Sequence, residues 1–266
     1  EDLRDGTYTL IRDLNDQGLI YAEIRFAPQL HTRKGMTQAE AIEAVIEGVN
    51  EGMKQAKTID IGIICCTMSI GLETVNKEEN LETVRATKQY LGKGVVALDL
   101  AGAEGIVPLK NFGYIFDLAR ELELPITVHA GDSDGPQTAW DALEFGTKRI
   151  GHGHRVYDDK ELIKKCIEDN VTLEICPTSN IQCQSQPSYA EHPAKKLLDM
   201  GVRVTINTDN MVLSDIDLDK EYDHCLNDMG FEYNDLIKMN INSAEAAFMP
   251  EDKKRAIIEK LEKCYR

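Results

Sequence analysis

The residues best suited to chemistry lie in ITVHAGDSDGP, from Ile126 to Pro136. A β-branched apolar run ends in His129, then Ala130 and Gly131, then the carboxylate of Asp132. An imidazole at the exit of a buried strand is a metal ligand or a proton-transfer group if the strand opens onto a site. It is a hydrogen-bonded core histidine if it does not. The small residues after His129 leave room above the strand. Asp132 is placed to exchange a proton with a reacting atom; its simpler readings are an Asx turn with Ser133 or a cap on a helix starting near Thr138.

Two more strand-like runs end in the same style. RIGHGH carries Gly151-His152-Gly153-His154, and the two glycines let other groups approach the His152 backbone closely. His152 can position or deprotonate a metal-bound water, whereas His154 points to the opposite face if the strand continues and reads as structural. VTINTDN ends in Asp209 and Asn210. A turn is the simple reading, but an aspartate at the end of the last strand suits an oxygen ligand for Zn²⁺, and Asn210 would then offer its amide to a bound substrate. In CPTSN, Cys176 to Asn180, Pro177 breaks a strand, and the hydroxyls either line a pocket or cap a short helix.

The elements that must hold these residues alternate. Strand-like runs cover Ile20–Ala27, Asp60–Thr67, Val95–Ala101, Pro125–His129, Arg149–His152, Thr172–Cys176 and Arg203–Asn207. Helical patterns cover Ala39–Ala56, opened by the capping box at Thr37 and Glu40, then Leu109–Leu122, Thr138–Phe145, Asp158–Asn170, Pro193–Met200, Tyr233–Phe248 and Glu251–Lys263. Strand–helix alternation makes a parallel α/β sheet, either open and doubly wound or closed into a barrel. Functional-looking residues follow at least four strands: Gly102 with Glu104, His129 with Asp132, His152, and Asp209. An open sheet gathers its site at one switch point, whereas a barrel converges many strand ends, so the barrel is the expectation. The absence of GxGxxG and GxxxxGK[ST] loops agrees. No linker or low-complexity tract divides the chain, so residues 1–266 are expected to form a single barrel domain.

The 266 residues suffice for a large core. A net charge of −16 opposes nucleic-acid binding, which needs a basic surface. The seven cysteines are odd in number and lack CxxC spacing, which points to buried thiols in a reducing cytoplasm rather than disulfides or a cysteine zinc site. No run of about 18 apolar residues occurs, so no membrane span is expected. The start, EDLRDG, is not a signal peptide.

Taken together, DLAGAE, VHAGD, IGHGH, CPTSN and INTDN, in this order, resemble the adenosine deaminase family of metal-dependent hydrolases, over about Ile20 to Phe248. The resemblance implies a TIM-type (β/α)8 barrel with one catalytic zinc, and zinc-dependent deamination of adenosine and 2′-deoxyadenosine to inosine and ammonia. By motif, His129 and Asp209 would bind zinc. Asp132 stands where the family has a glutamate that protonates the purine ring, and His152 would orient or deprotonate the attacking water. Gly102 would hydrogen-bond the purine through its backbone, and Asn210 stands where a second aspartate contacts it.

Asp132 and Asn210 depart from the family pattern. A first strand with an HxH pair is not found, so seven of eight strands and two of four protein zinc ligands are expected in a domain incomplete at its N-terminal side. The chain would then be a fragment, or a partner chain or second copy would complete the barrel. Two alternatives stand beside the adenosine reading. One is a deaminase of adenine, an adenine nucleotide or a modified adenosine. The other is a non-catalytic remnant that binds a purine or a protein partner.

Overall fold

The computed structural model describes residues 1–56, 58–72 and 75–265. Its contacts divide the chain into two compact units, one of Glu1–Val107 with Asn111–Ile126, the other of Pro108–Lys110 with residues from Thr127 onward. All seven expected strands are present, and every pairing among them is parallel.

In the first unit, α1 (Asp2–Asp16) precedes β1 (Tyr21–Phe26), α2 (Gln38–Gln55), β2 (Asp60–Ser69), α3 (Lys77–Tyr90), β3 (Val95–Gly102) and α4 (Gly113–Glu121). The strands pair in the order β1-β2-β3. The Thr37 capping box forms as expected: Thr37 Oγ1 accepts from the Glu40 amide and Glu40 accepts from the Thr37 amide. β2 is a core strand, with Ile63, Ile64 and Cys65 fully buried. Burial pushes the Cys65 thiol up to about 12, so it packs as a small hydrophobe. Gly102 closes β3 beside Ser69 at φ +111°, and a Cβ there would lie 2.5 Å from the Ser69 carbonyl oxygen, so the strand end itself demands glycine.

Helix α3 has no counterpart in the expectations. The buried face of α3 includes Asn80, Thr83 and Thr87 as well as Val84 and Ala86. Its polar side chains are bonded rather than dry: the Asn80 amide accepts from the Met68 N–H and donates to the Met68 carbonyl, and Gln29 donates to Asn80. A helix seated by amides shows little apolar periodicity. The helix expected over residues 109–122 divides into a 3-10 turn, Leu109–Phe112, and α4.

The second unit runs β4 (Val128–Ala130), α5 (Pro136–Glu144), β5 (Arg149–His152), α6 (Lys160–Glu168), β6 (Thr172–Ile175), α7 (Pro177–Gln182), α8 (Ala194–Asp199), β7 (Arg203–Ile206), α9 (Met211–Ser214), α10 (Leu218–Asn227), α11 (Tyr233–Ala246) and α12 (Glu251–Cys264). Its strands pair in the order β4-β5-β6-β7. The strand expected from Pro125 begins only at Val128, because Ile126 makes just an isolated bridge to Leu98. An ion pair lies inside this unit: Arg149 Nε donates to Glu174 Oε1 at 2.6 Å, with both side chains under a tenth exposed. The Arg149 guanidinium also lies 4.0 Å from the centre of the Phe248 ring and donates to the Ala246 carbonyl. Among the described residues, no helix is long and apolar enough to cross a membrane.

Candidate active site

The carboxyl ends of four adjacent strands supply the site of the second unit. His129 lies in β4 directly across from Gly151 in β5. A Cβ at Gly151 would come within 3.1 Å of the His129 ring, so the first glycine of GHGH makes room for that imidazole. The rings of His129 and His152 then meet edge to face, centroids 5.3 Å apart. His152 ends β5 with φ +61°, and Asp209, just past β7, has φ +54°. Left-handed backbone is uncommon in non-glycine residues, and strain of this kind gathers at functional positions.

β5 stops at His152. Gly153, at φ +69°, turns the chain, its N–H donating to the Ala130 carbonyl while the Arg155 N–H donates to the Gly131 carbonyl. His154 therefore does not point away, as a continued strand would require. It is fully buried, with Nδ1 3.7 Å from Asp132 Oδ1. Asp132 caps no helix: Gly135 takes the N-cap position of α5, and Thr138 Oγ1 accepts the Gly131 N–H.

Helix α7, which follows β6, holds the acids. Ser179 Oγ donates to Asp209 Oδ2 at 2.8 Å. Asn180 Nδ2 donates to Asp132 Oδ1 at 2.8 Å and lies 3.0 Å from His152 Nδ1. Ser185 Oγ donates to the same Asp132 oxygen at 2.9 Å. Burial alone would raise the Asp132 pKa; the facing His152 and His154 rings, with the hydrogen bonds from Ser185 and Asn180, outweigh it and hold the carboxyl below its ordinary value. Burial takes His154 down to about 4, against the pull of Asp132. Asn210 is exposed and caps α9, its Oδ1 accepting the Leu213 N–H at 3.1 Å. Gly102 belongs to the first unit, at the end of β3.

The sequence motifs thus mark His129, Asp132, His152 and Asp209 but miss His154, His192 and Ser185. Gly153 hinted that the strand stops. Nothing local marks His192 or Ser185, which reach the cluster from the segment between α7 and α8.

The model of the family described as Adenosine deaminase matches residues 1–264. The chain belongs to the adenosine deaminase family. It is 38% identical to the adenosine deaminase of Haemophilus ducreyi over 268 aligned positions, which span all of this chain and 77% of that one. Among solved structures, an adenine deaminase from Arthrobacter aurescens superposes with a TM-score of 0.90 at 21% identity, covering 99% of this chain and 79% of its own. An amidohydrolase from Burkholderia ambifaria with bound Zn gives 0.88 at 21%, covering 98% and 73%. The fold is therefore that of the TIM-barrel deaminases, and the protein is a hydrolase of carbon–nitrogen bonds.

Membership in the adenosine deaminase family implies a metal cofactor. The His129 imidazole and the Asp209 carboxylate are donors that zinc accepts. Catalytic zinc usually has three protein ligands, and among the described residues no three His, Cys, Asp or Glu side chains are grouped to hold a metal ion. The residues described do not form a complete ligand shell.

The family's CPTSN segment also meets a buried acid. Glu221, in α10, is fully buried; Oε1 accepts the Thr178 N–H at 3.2 Å, and Oε2 has no hydrogen-bond partner among the described residues. Burial pushes its pKa up to about 7, against the Thr178 hydrogen bonds and the nearby His224. The unfolded carboxyl titrates near 4.5, so its contribution to stability is complete below pH 4.5 and is lost as pH rises through about 7. Glu221→Gln is expected to flatten that decline in urea midpoint. At pH 8 the variant then exceeds the parent by up to about 3 kcal/mol. A decline of equal size in the variant would disprove the assignment.

Proposed function

We propose that the protein deaminates adenosine and 2′-deoxyadenosine by hydrolysis, giving inosine or deoxyinosine and ammonia. One observation carries this reading: in a member of the adenosine deaminase family, β4, β5 and β7 bring His129, Asp132, His152 and Asp209 to their carboxyl ends, and one short helix after β6 bonds Asp132, His152 and Asp209. Asp132 is ionised when no substrate is bound, because its pKa is lowered. It takes up a proton from the attacking water and delivers it to the purine ring nitrogen. His152 orients the attacking water, its Nδ1 already accepting from the Asn180 amide. Asn210 keeps its motif-based assignment to the purine. His129 and Asp209 supply two of the ligands of one Zn²⁺ per chain. The substrate is a purine nucleoside, with neither nucleic acid nor membrane as partner. Seven free thiols, five of them buried, suit the reducing cytoplasm.

The test is adenosine turnover by the purified, zinc-supplied chain, followed by the change in ultraviolet absorbance. Adenosine and deoxyadenosine are expected to be consumed with higher kcat/KM than adenine or AMP, and His129→Ala is expected to abolish the signal. A chain that binds zinc stoichiometrically yet leaves adenosine intact would refute the assignment.

A further inference from the structure

His192 lies between α7 and α8, 60 residues from Asp132 in sequence, and is almost wholly buried. Its ring sits 5.6 Å from that of His154. Its Nε2 lies 3.2 Å from Asn180 Oδ1, and its Nδ1 accepts the backbone N–H of Ala194 at 3.2 Å. The last of these bonds has a fixed direction, since a backbone amide nitrogen can only donate. Nδ1 of His192 is therefore the acceptor. With Nδ1 accepting, the ring's one hydrogen is on Nε2 and points at Asn180 Oδ1, and burial, which lowers the pKa to about 3, agrees.

The direction passes through Asn180. Its oxygen is committed to His192, so the amide group turns both hydrogens the other way, one to Asp132 Oδ1 and one to His152 Nδ1. The flipped amide would set its oxygen against the Asp132 carboxylate and its hydrogens against His192 Nε2–H, two unfavourable contacts at buried groups. Asn180 itself is pinned: its carbonyl accepts from the Ser185 and Gln186 backbone amides at 2.9 and 3.0 Å.

We propose that His192 is a positioning residue for this site: anchored on the Ala194 amide, it fixes the orientation of the Asn180 amide, and thereby makes Asp132 a held acceptor and places the hydrogen of neutral His152 on Nε2. The hydrogen-bond polarity stands on geometry alone; its value to turnover rests on the deaminase reading above. His192 touches no reacting atom. It acts across one intervening side chain on both an acid and an imidazole.

Imidazole ¹⁵N spectra of the unaltered chain at pH 7 test it without any turnover. His192 and His152 are both expected as single Nε2–H tautomers, with slowly exchanging Asn180 side-chain amide protons. His192→Phe keeps a ring in place but removes the donor; His152 is then expected to become a mixture of tautomers and the Asn180 amide protons to exchange at least tenfold faster, while His192→Gln, which can still donate, restores one form. An Nδ1–H tautomer at either histidine of the unaltered chain overturns the proposal. So does an unchanged His152 and Asn180 in His192→Phe. If that variant does not fold, the spectra of the unaltered chain still decide. A chain that shows the expected tautomers but turns over no adenosine disproves the deaminase reading and leaves the polarity standing.

Discussion

Asp132→Asn is expected to lower kcat/KM for adenosine by about 10²–10⁴-fold, the usual worth of a positioned proton-transfer group. The asparagine oxygen can still accept from Asn180 and Ser185, which hold Asp132 Oδ1 at 2.8 and 2.9 Å, so the fold and the local positions persist. What disappears is the charge and the ability to take and give a proton. A second readout needs no substrate. His154 loses the carboxylate 3.7 Å from its Nδ1, the group that raises its affinity for a proton, and is expected to titrate below the value of about 4 that burial and Asp132 together give it. The check is steady-state kinetics beside an NMR titration of His154. Activity within threefold of the parent would remove Asp132 from the reaction.

The largest loss of stability is expected at the opposite kind of residue, one without a part in the chemistry. Arg149→Ala leaves the Glu174 carboxylate buried with its charge partner gone, and removes the stacking on Phe248 and the bond to the Ala246 carbonyl. Breaking one side of a buried pair costs about 3–5 kcal/mol, measured here as a fall in the urea midpoint. Replacing both members by apolar residues of similar size, Arg149→Met with Glu174→Leu, is expected to recover most of that loss, because no charge is then stranded. A double variant as unstable as the single one would mean that packing, not the unpaired charge, sets the cost.

Much of this molecule is legible because it obeys short-range rules. The strands around Ile63, Ile150 and Val204 are runs of apolar residues between turn signals, and they form where the pattern puts them, within a few residues. The Thr37–Glu40 box opens α2 one residue early. His129 and Asp132 are readable because a histidine, two small residues and an acid at a strand exit have few structural uses together. The remainder is written in contacts between distant residues. The face of His154 depends on whether the strand continues, which periodicity alone does not decide, and what stops β5 is a left-handed turn at Gly153. His192 and Ser185 carry no local mark, since their partners lie 53 residues away or bond them through Asn180. α3 stayed hidden because its inward face bonds through amides and hydroxyls.

That amide-lined seat gives α3 a temperature response of its own. Hydrocarbon surfaces grip less firmly on cooling, because the gain from excluding water fades. Exposing polar surface lowers the heat capacity, whereas exposing apolar surface raises it. The contacts of Asn80, Asn76 and Gln29 therefore add little to the curvature of the stability profile. α1 is held on its inward side by Ile11 and Leu14, and such helices loosen first when the protein is chilled. α3 is expected to outlast α1 in the cold, so hydrogen exchange near 0 °C ranks its amides above those of α1, an order that warming narrows.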